Sequence, residues 1–372
     1  MPVIPITDQS GASFQSHVLR PEPSAERVDH RCSELTIGLL NNMSIGALEA
    51  TEQQFTSILN SASEGFSIRL KRYFLPEIVQ GDSVAIYRHL HYESIDSLWD
   101  TDLDALIVTG KEPLTSNLRD EPSWGSFVRV LEWARNRTYS TILSCLASHA
   151  AVLHVDGIQR VRSEHKHCGI FDCSRIAEHP ITARLPVRFR MPHSRWNGLV
   201  EADLERCGYQ LITRTDHAGV DCFIKQDRCL FLFFQGHPEY QPETLLHEYR
   251  RDVGRFLRGE SPRYPGIPLG YFDKKASREL AKIQRHAAIG QQGETFAQLA
   301  ALFSATARDD GWHTAGSTIY RNWLEYISSE KLKRVANGRS AGVKTSSDAL
   351  ASAGALQTEI AMSGPVPVIT QG

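Results

Sequence analysis

The chain lacks the sequence features of secreted and membrane proteins. Its first residues contain no basic segment followed by an apolar stretch, so we expect no signal peptide. No apolar run approaches the roughly 20 residues that a membrane-spanning helix needs. With 41 Lys and Arg residues against 43 Asp and Glu residues, the formal net charge is only −2, which gives no electrostatic reason to expect nucleic acid or an anionic membrane as a partner. We therefore expect a cytoplasmic protein.

Metal-binding cysteine patterns are also missing. The seven cysteines include no Cys-x-x-Cys pair and no zinc-like spacing. The alternating residues 165–168, His-Lys-His-Cys, do not have a fixed ligand spacing either. Reduced thiols in the cytosol are the simplest account of an odd number of cysteines. We therefore expect no metal site.

What the chain does contain is a long region, residues 35–331, in which strand-like and helix-like segments alternate. Such alternation predicts an α/β fold with a mostly parallel sheet flanked by helices. Strands are predicted at 35–41, 67–73, 104–109, 140–144, 208–214, 220–225 and 229–234, and helices at 49–61, 124–136, 146–155, 242–257, 275–286, 292–304 and 316–331. Because consecutive strands occupy 208–234, we expect an antiparallel addition there. Residues 1–34 are interpreted as an N-terminal arm, and the Ser-, Ala- and Gly-rich residues 332–372 as a disordered C-terminal tail.

The most informative stretch is residues 230–240, which read LFLFFQGHPEY. An apolar run of strand length ends at Gly236 and is followed at once by His237 and Glu239. In open α/β sheets, binding and catalytic sites form at the C-terminal ends of the strands. The His-x-Glu spacing lets the carboxylate of Glu239 face the imidazole of His237, fix its tautomer and stabilise the imidazolium. These residues are therefore a candidate base and its orienting group.

A candidate nucleophile for this base is Cys145. The β-prone residues 140–144 precede it and a segment of helical character follows, which predicts a strand-to-helix turn. The free N–H groups and the dipole of a helix N-terminus favour a thiolate and can serve as an oxyanion hole. The alternative is that Cys145 is a buried packing residue and His237 a surface or capping residue. The two patterns together favour a catalytic set of Cys145, His237 and Glu239.

Both segments resemble those of the homoserine O-acyltransferases of the homoserine O-succinyltransferase family, which has a class I glutamine-amidotransferase-like fold. That family has a strand ending in Cys before a helix, and a Gly-His-Pro-Glu-Tyr motif, which here begins at Gly236. Further similar segments occur in the same order along the chain, at residues 39–43, 49–55, 104–110, 130–134, 192–196 and 322–326. The resemblance covers roughly residues 35–330.

The resemblance implies an acyl-CoA:L-homoserine O-acyltransferase, which catalyses the first step of methionine biosynthesis from homoserine, and it makes residues 35–331 the acyltransferase domain. Cys145 would form a thioester acyl-enzyme, with His237 as the base and Glu239 orienting the ring. Homoserine and acyl-CoA are the implied small-molecule partners, acyl-CoA being a co-substrate, and neither a metal nor a prosthetic group is required. The rival functions are a glutamine amidotransferase-type hydrolase, an acyltransferase for another hydroxyl such as that of serine, and a regulatory relative with a degenerate pocket. The oligomeric state stays open, with a homodimer among the options.

By the same resemblance, three residues are predicted to contact the substrate: Lys166, Ser194 and Arg251. The local spacing around Lys166 also allows His165 to take the place of the family's lysine. Arg251 would bind the amino acid's carboxylate through its planar fork of donors. Its neighbour Arg250 is the alternative, which we interpret as part of a solvated face.

The acyl pocket is where the chain departs from the family pattern. The N–H of Leu146, with another from the turn at Gly110, is predicted to stabilise the oxyanion, but Leu146 and His149 replace a Trp and a Gln that the family often has. One family position after the Thr-Gly turn influences the acyl donor, with Glu associated with acetyl transfer and Gly with succinyl transfer. The matching residue here is Thr115, or Leu114 if this loop has no extra residue. Neither is negatively charged, so we expect a succinyl donor to be favoured over acetyl.

Overall fold

The computed structural model describes residues 18–19, 34–78, 91–288 and 311–341. Within these ranges the strands are β1 (Val18–Leu19), β2 (Glu34–Leu40), β3 (Ser67–Tyr73), β4 (Ala105–Val108), β5 (Ser140–Ser144), β6 (Val161–Arg175), β7 (Arg188–Gly198), β8 (Gln210–Thr215), β9 (Gly219–Gln226) and β10 (Leu230–Phe234). The helices are α1 (Ile45–Ala62), α2 (Ile95–Leu98), α3 (Trp124–Arg137), α4 (Leu146–Asp156), α5 (Glu201–Arg206), α6 (Thr244–Leu257), α7 (Lys274–Ala288) and α8 (His313–Ala341). Short 3₁₀ turns cover Pro76–Ile78, Leu118–Asp120 and Pro180–Thr182.

All of these strands join one sheet in the order β1-β3-β2-β4-β5-β10-β9-β8-β6-β7. The strands from β3 to β10 in that order run parallel to one another. Strands β4, β5 and β10 are buried along their whole length, as expected for short, continuous apolar strands that are covered on both faces. The predicted bounds of β3 and β5 agree with the structure at both ends.

Helices cover the sheet on both faces, and each face has its own hydrophobic core. On one face, Phe55 of α1 and Trp323 of α8 pack with apolar strand residues such as Ile37. On the other face, Phe127 of α3 and Val152 of α4 pack with their own set of strand residues. The predicted α/β class, a sheet flanked by helices, is therefore confirmed.

The antiparallel part of the sheet is larger than expected. Strands β9, β8, β6 and β7 continue it beyond β10, each antiparallel to its neighbour. The predicted antiparallel addition over 208–234 is confirmed, but the long hairpin of β6 and β7 was not predicted. The first half of β6 carries polar and charged residues that are largely exposed, and its pairing with β7 shifts register after Arg162. The start of the hairpin therefore lacks the alternation of apolar and polar residues that would predict a strand.

The ends of the chain differ from the sequence interpretation in one respect. Helix α8 continues to Ala341, so residues 332–341 of the predicted tail are helical in the structure. The rest of the tail, almost all of the N-terminal arm and the helix predicted at 292–304 lie outside the described residues. The chain divides into two compact units, Met1–Ser328 and Ser329–Gly372, and the first holds the sheet with both cores. None of the helices in the described ranges is long and apolar enough to cross a membrane.

The register of the parallel strands determines where the predicted site residues emerge. Phe234 at the end of β10 pairs with Ser144 at the end of β5, and Val108 of β4 pairs with Leu143. The segments that follow these three strands therefore leave the sheet at the same edge. They contain the Thr-Gly turn, the candidate nucleophile and the candidate base.

Candidate active site

Cys145 lies alone between β5 and α4, in a sharp turn. Its backbone has φ 52° and ψ −110°, a left-handed conformation that costs a side-chain-bearing residue about 1–3 kcal/mol. The turn is held to the next strand because the Cys145 N–H donates to the carbonyl of Phe234 at 2.8 Å. The hydroxyl of Ser148 lies within hydrogen-bond distance of two carbonyl oxygens, that of Leu143 at 2.6 Å and that of Phe234 at 2.9 Å. This strained turn presents a partly exposed thiol at the N-terminus of α4.

His237 and Glu239 lie where β10 ends, and both are buried. His237 Nδ1 is 2.8 Å from Glu239 Oε1, and the ring is also hydrogen-bonded to the thiol of Cys145. Ser144 donates its hydroxyl to the same Glu239 oxygen at 3.4 Å. The ring of Tyr240 stacks on the imidazole with centroids 4.1 Å apart. The structure thus brings all three predicted catalytic residues together in the order thiol, imidazole, carboxylate.

The electrostatics of His237 favour its protonated form. Burial by itself lowers the pKa of His237, but the charges of Glu239 and Cys145 and the hydrogen bonds to both outweigh burial and raise that pKa well above its ordinary value. An imidazole that binds a proton this firmly beside a sulfur can accept the thiol proton and keep it as an imidazolium. The arrangement is therefore suited to acid–base chemistry at the sulfur.

The predicted oxyanion groups are direct neighbours. A Cβ placed on Gly110 would lie 2.6 Å from the backbone nitrogen of Leu146 and 2.9 Å from that of Ala147. Only a residue without a side chain allows the Thr-Gly turn to approach the first turn of α4 this closely. The N–H groups of a helix's first turn have no partners within the helix. The Thr-Gly turn therefore packs directly against the N-terminus of α4, next to Cys145, and these two segments are the candidate oxyanion pocket.

Lys166 and Arg251 are joined through a carboxylate. Lys166 on β6 donates Nζ to Asp252 Oδ2 at 2.7 Å, and Arg251 on α6 donates Nε and Nη2 to Asp252 Oδ1, both at 3.0 Å. The Lys166 side chain is 15% exposed, whereas that of Arg251 is 47% exposed. Asp252, which was not singled out from the sequence, therefore orients two cations at one place.

Glu248 on α6 is a second acid that the sequence analysis missed. Its Oε1 accepts a hydrogen bond from the Tyr240 hydroxyl at 2.9 Å, and its Oε2 is buried without a hydrogen-bond partner. Burial alone lowers the pKa of Lys166, but the charge of Glu248, with smaller effects of Cys168 and Asp252, raises it above its ordinary value. A buried, unused carboxylate oxygen costs free energy unless a ligand supplies a donor. The pair of cations and this oxygen are complementary to an α-amino acid, which carries one carboxylate and one ammonium.

Ser194 on β7 lies directly opposite Cys168 of β6, and its hydroxyl is hydrogen-bonded to that thiol. Burial raises the pKa of Cys168 to about 11, so this sulfur stays a thiol. Ser194 is therefore close to Lys166, which is two residues from Cys168 on the same strand. The alternative residue His165 is largely exposed and pairs weakly with Glu164 at 3.9 Å.

Thr115 faces its own loop. Its hydroxyl is 2.9 Å from Glu121 Oε1 and 2.8 Å from the carbonyl of Asn117. Glu121 is buried and also accepts the N–H groups of Leu114 and Thr115, at 2.6 and 2.7 Å, and the Lys111 Nζ, at 2.7 Å. Burial raises the pKa of Glu121, but Lys111 and Thr115 together lower it below its ordinary value. This buried carboxylate organises the loop that follows the Thr-Gly turn.

His149, which departs from the family pattern, is buried on α4, four residues after Cys145. Its Nε2 is 2.9 Å from Gln235 Oε1, and Gln235 Nε2 donates to the carbonyl of Val220 at 2.7 Å. Burial lowers the pKa of His149 to about 3, so the ring is neutral. His149 therefore connects α4 to the segment that carries His237.

One cluster near the site has the composition of a metal site. The ligand atoms of Cys173, His193 and Asp221 lie within 4.8 Å of one another, and all three residues are buried. Arg195 Nε donates to His193 Nδ1 at 3.4 Å, so the proton of a neutral His193 lies on Nε2, 3.2 Å from Asp221 Oδ1. A protonated nitrogen cannot bind a metal. We interpret the cluster as a buried polar contact between His193 and Asp221, whose facing atoms are 3.2 Å apart.

Comparisons of the sequence with known proteins point to one family. The family described as Homoserine O-succinyltransferase matches residues 15–334. The chain is 40% identical over 319 residues to a homoserine O-succinyltransferase from Rhodopseudomonas palustris, which covers 86% of this chain and 94% of that protein. It is 39% identical to a homoserine O-succinyltransferase from Bradyrhizobium japonicum, over 79% of this chain and 90% of that protein. Among solved structures, a glutamine amidotransferase from Methylobacillus flagellatus is 14% identical with a TM-score of 0.43, over 79% of this chain and 95% of that one.

Proposed function

Since this chain belongs to the homoserine O-succinyltransferase family and is therefore an O-acyltransferase, we propose that it transfers a succinyl group from succinyl-CoA to the hydroxyl of L-homoserine. The family predicted from the sequence motifs is confirmed. In this proposal the reaction is the first step of methionine biosynthesis from homoserine. Acyl-CoA acts as a co-substrate, and no step is assigned to a metal or a prosthetic group.

The observation that supports this chemistry is the continuous contact from the Cys145 thiol through His237 to Glu239. A thiol beside an imidazole whose proton is stabilised by a buried carboxylate is a nucleophile with its base already in place. The strained turn at Cys145 keeps the sulfur at the N-terminus of α4, next to the pocket between Gly110 and Leu146.

The first half-reaction acylates the enzyme. His237 accepts the proton of Cys145, and the sulfur attacks the thioester carbonyl of the acyl-CoA. The oxygen of the tetrahedral intermediate is stabilised by the N–H groups of Leu146 and the Gly110 turn. The intermediate collapses, the bond to the CoA sulfur breaks, and His237 returns its proton to the departing CoA thiolate. The products are free CoA and a thioester on Cys145.

The second half-reaction transfers the acyl group to the amino acid. His237, now neutral, removes the hydroxyl proton of homoserine, whose oxygen attacks the thioester on Cys145. The same pocket stabilises the second oxyanion, and its collapse releases the O-acyl ester. The sulfur leaves as a thiolate and His237 holds the proton, which gives the ion pair that attacks the next acyl-CoA. In both halves Glu239 stabilises the imidazolium.

Acceptor recognition in this proposal uses three charges that the structure brings together. The carboxylate of homoserine binds Arg251, with Lys166 beside it, because a planar guanidinium can bind both oxygens of a carboxylate. The ammonium group binds the free Oε2 of Glu248, which is buried and unpartnered. Ser194, on the neighbouring strand, is assigned a contact with the same substrate. These groups distinguish an amino-acid hydroxyl from water.

The proposed function is tested by crossing two donors, succinyl-CoA and acetyl-CoA, with two acceptors, homoserine and serine. Release of free CoA is followed with a thiol reagent, and the product ester is identified by mass spectrometry. We expect sustained CoA release, over many turnovers, that depends on homoserine and is fastest with succinyl-CoA. A reaction with serine in preference to homoserine would contradict the acceptor, and a clear preference for acetyl-CoA would contradict the donor.

The second candidate function is glutamine hydrolysis, because a Cys, His and Glu set can also release ammonia from glutamine. The cations Lys166 and Arg251 fit the α-carboxylate of glutamine as well. An assay of ammonia from glutamine in the same preparations separates the two functions. Ammonia release without any CoA release from an acyl-CoA would favour the hydrolase.

A further inference from the structure

Three cations lie on the acyl loop or interact electrostatically with Cys145, and they differ in whether each of their nitrogens has an acceptor. Lys111 is in an ion pair with Glu121, with its Nζ 2.7 Å from Oε2. Arg195 interacts electrostatically with Cys145, but its donors face acceptors of the protein: Nε faces His193, Nη1 the carbonyl of Asn197, and Nη2 that of Ala218. Each side-chain nitrogen of these two cations therefore already has an acceptor within the protein.

Arg160 is different. It lies just before β6, and its Nη2 donates to the carbonyl of Ser116 at 3.0 Å, within the loop that follows the Thr-Gly turn. Its Nη1 is buried and has no hydrogen-bond partner. The guanidinium interacts electrostatically with both Cys145 and Glu121. A buried guanidinium nitrogen without an acceptor is costly, and an anionic ligand would remove that cost.

The charges around this loop leave a positive surplus. The buried carboxylate of Glu121 is neutralised by Lys111, which it contacts directly. Arg160 forms no ion pair with a carboxylate among the described residues, although its guanidinium interacts with the charges of Glu121, Arg162 and Cys145. A succinyl thioester carries a free carboxylate two methylene groups from its carbonyl, whereas an acetyl thioester ends in a methyl group. The surplus charge is therefore complementary to a dicarboxylic acyl group.

We propose that Arg160 binds the free carboxylate of the acyl group while that group is attached to Cys145, and so selects a dicarboxylic acyl donor over acetyl. This inference rests on the acyl-transfer function proposed above. It assigns donor choice to a residue outside the loop position of Thr115, whose hydroxyl is already engaged by Glu121. The carbonyl of Ser116 accepts a hydrogen bond from the guanidinium and so fixes the position of Arg160.

The test compares acylation of Cys145 by succinyl-CoA and by acetyl-CoA in single turnovers without acceptor, followed by mass spectrometry of the intact protein. We expect Arg160→Leu to slow succinylation roughly 10- to 100-fold, the range for a hydrogen bond to a charged group, and to change acetylation by less than about threefold. Arg160→Lys keeps the charge without the planar fork and should fall between the two. Arg119→Leu is the matched control, because Arg119 lies in the loop that Arg160 contacts and also donates to a backbone carbonyl, that of Leu153.

Acetylation by the same variant shows whether Arg160→Leu folds, so a selective loss of succinylation supports the proposal. Equal losses with both donors would overturn it, because Arg160 would then act on the thiolate or on the CoA portion. An unchanged preference, or a wild-type enzyme that favours acetyl-CoA, would overturn it as well. If Cys145 is acylated but homoserine is never esterified, the proposed function fails while the role of Arg160 is still decided by the acylation rates.

Discussion

Glu239→Gln is the substitution that tests the catalytic geometry most directly. It removes the negative charge that lies 2.8 Å from His237 Nδ1 and keeps the size of the side chain and an oxygen that can accept the same hydrogen bond. The Glu239 side chain is only 4% exposed, so solvent does not screen its interaction with the ring. Any change in rate therefore reports the charge rather than a lost contact.

The expected size of the effect follows from the kind of hydrogen bond. A hydrogen bond to a charged group contributes about 1.5–3 kcal/mol, and a neutral one about 0.5–1.5 kcal/mol. The difference of about 1.5 kcal/mol corresponds to roughly a tenfold decrease in turnover. We expect at least this decrease in kcat, with smaller changes in the KM values, because neither substrate contacts Glu239 in the proposed mechanism.

The pH dependence gives a second, independent readout. Burial lowers the pKa of His237, while Glu239 and Cys145 raise it well above its ordinary value. Without the Glu239 charge this pKa falls, so the imidazolium is lost at a lower pH. The alkaline limb of the profile of kcat/KM for acyl-CoA should therefore move to lower pH in the variant.

The matched control is Glu52→Gln. Glu52 is a partly buried carboxylate on α1 that is paired with Arg72 at 2.9 Å, and the substitution removes its charge. It should leave the alkaline limb where it is in the wild-type enzyme. If Glu239→Gln keeps both the wild-type rate and the wild-type pH profile, Glu239 is a loop carboxylate with no part in catalysis. If the control moves the limb equally, the shift reflects general destabilisation.

Three further predictions concern the nucleophile, the acceptor site and the oxyanion pocket. Cys145→Ala should abolish turnover and acyl-enzyme formation with an unchanged circular dichroism spectrum, and near wild-type turnover would exclude Cys145 as the nucleophile. Arg251→Lys should raise the KM for homoserine far more than that for acyl-CoA, because the planar fork is lost; equal changes would indicate a destabilised α6. Gly110→Ala should lower kcat roughly tenfold or more, because its Cβ would lie 2.6 Å from the Leu146 nitrogen, whereas Gly125→Ala, with nothing within 4 Å, should leave kcat unchanged. Equal kcat values for these two glycine variants would argue against an oxyanion pocket at Gly110.

The parts of the site that could be predicted from the sequence are those encoded in a local pattern. Cys145 lies between a strand and a helix that are contiguous with it, and His237 and Glu239 follow one strand within a few residues. A strand, a turn and a helix leave signals in periodicity and composition that need no knowledge of the rest of the fold. The parallel register of β5 and β10 then brings these separate segments together.

The residues that escaped prediction act through contacts between distant segments. Glu248 and Asp252 lie on α6, whose charged residues have the pattern of an ordinary solvated face. Their partners, Tyr240 and Lys166, come from other segments of the chain. Glu112, which is close in sequence to the acyl loop and could have entered it, instead pairs with Arg255 of α6, at 2.9 Å. Whether Glu112 or Glu121 enters the loop depends on packing between distant segments, which the periodicity of the sequence does not indicate.

In the proposed mechanism, the groups that act on the two substrates lie in different halves of the sheet. The parallel strands β4, β5 and β10 lead into the candidate oxyanion pocket, the proposed nucleophile and the proposed base, which in this mechanism act on the acyl group. The antiparallel hairpin of β6 and β7 supplies Lys166 and Ser194, which are assigned to the amino acid. Because the proposed reaction binds its substrates one after the other, a change in one half need not disturb the other half-reaction. Donor preference can then change through a single charge near Cys145, such as that of Arg160, while the acceptor site and the three catalytic residues stay the same.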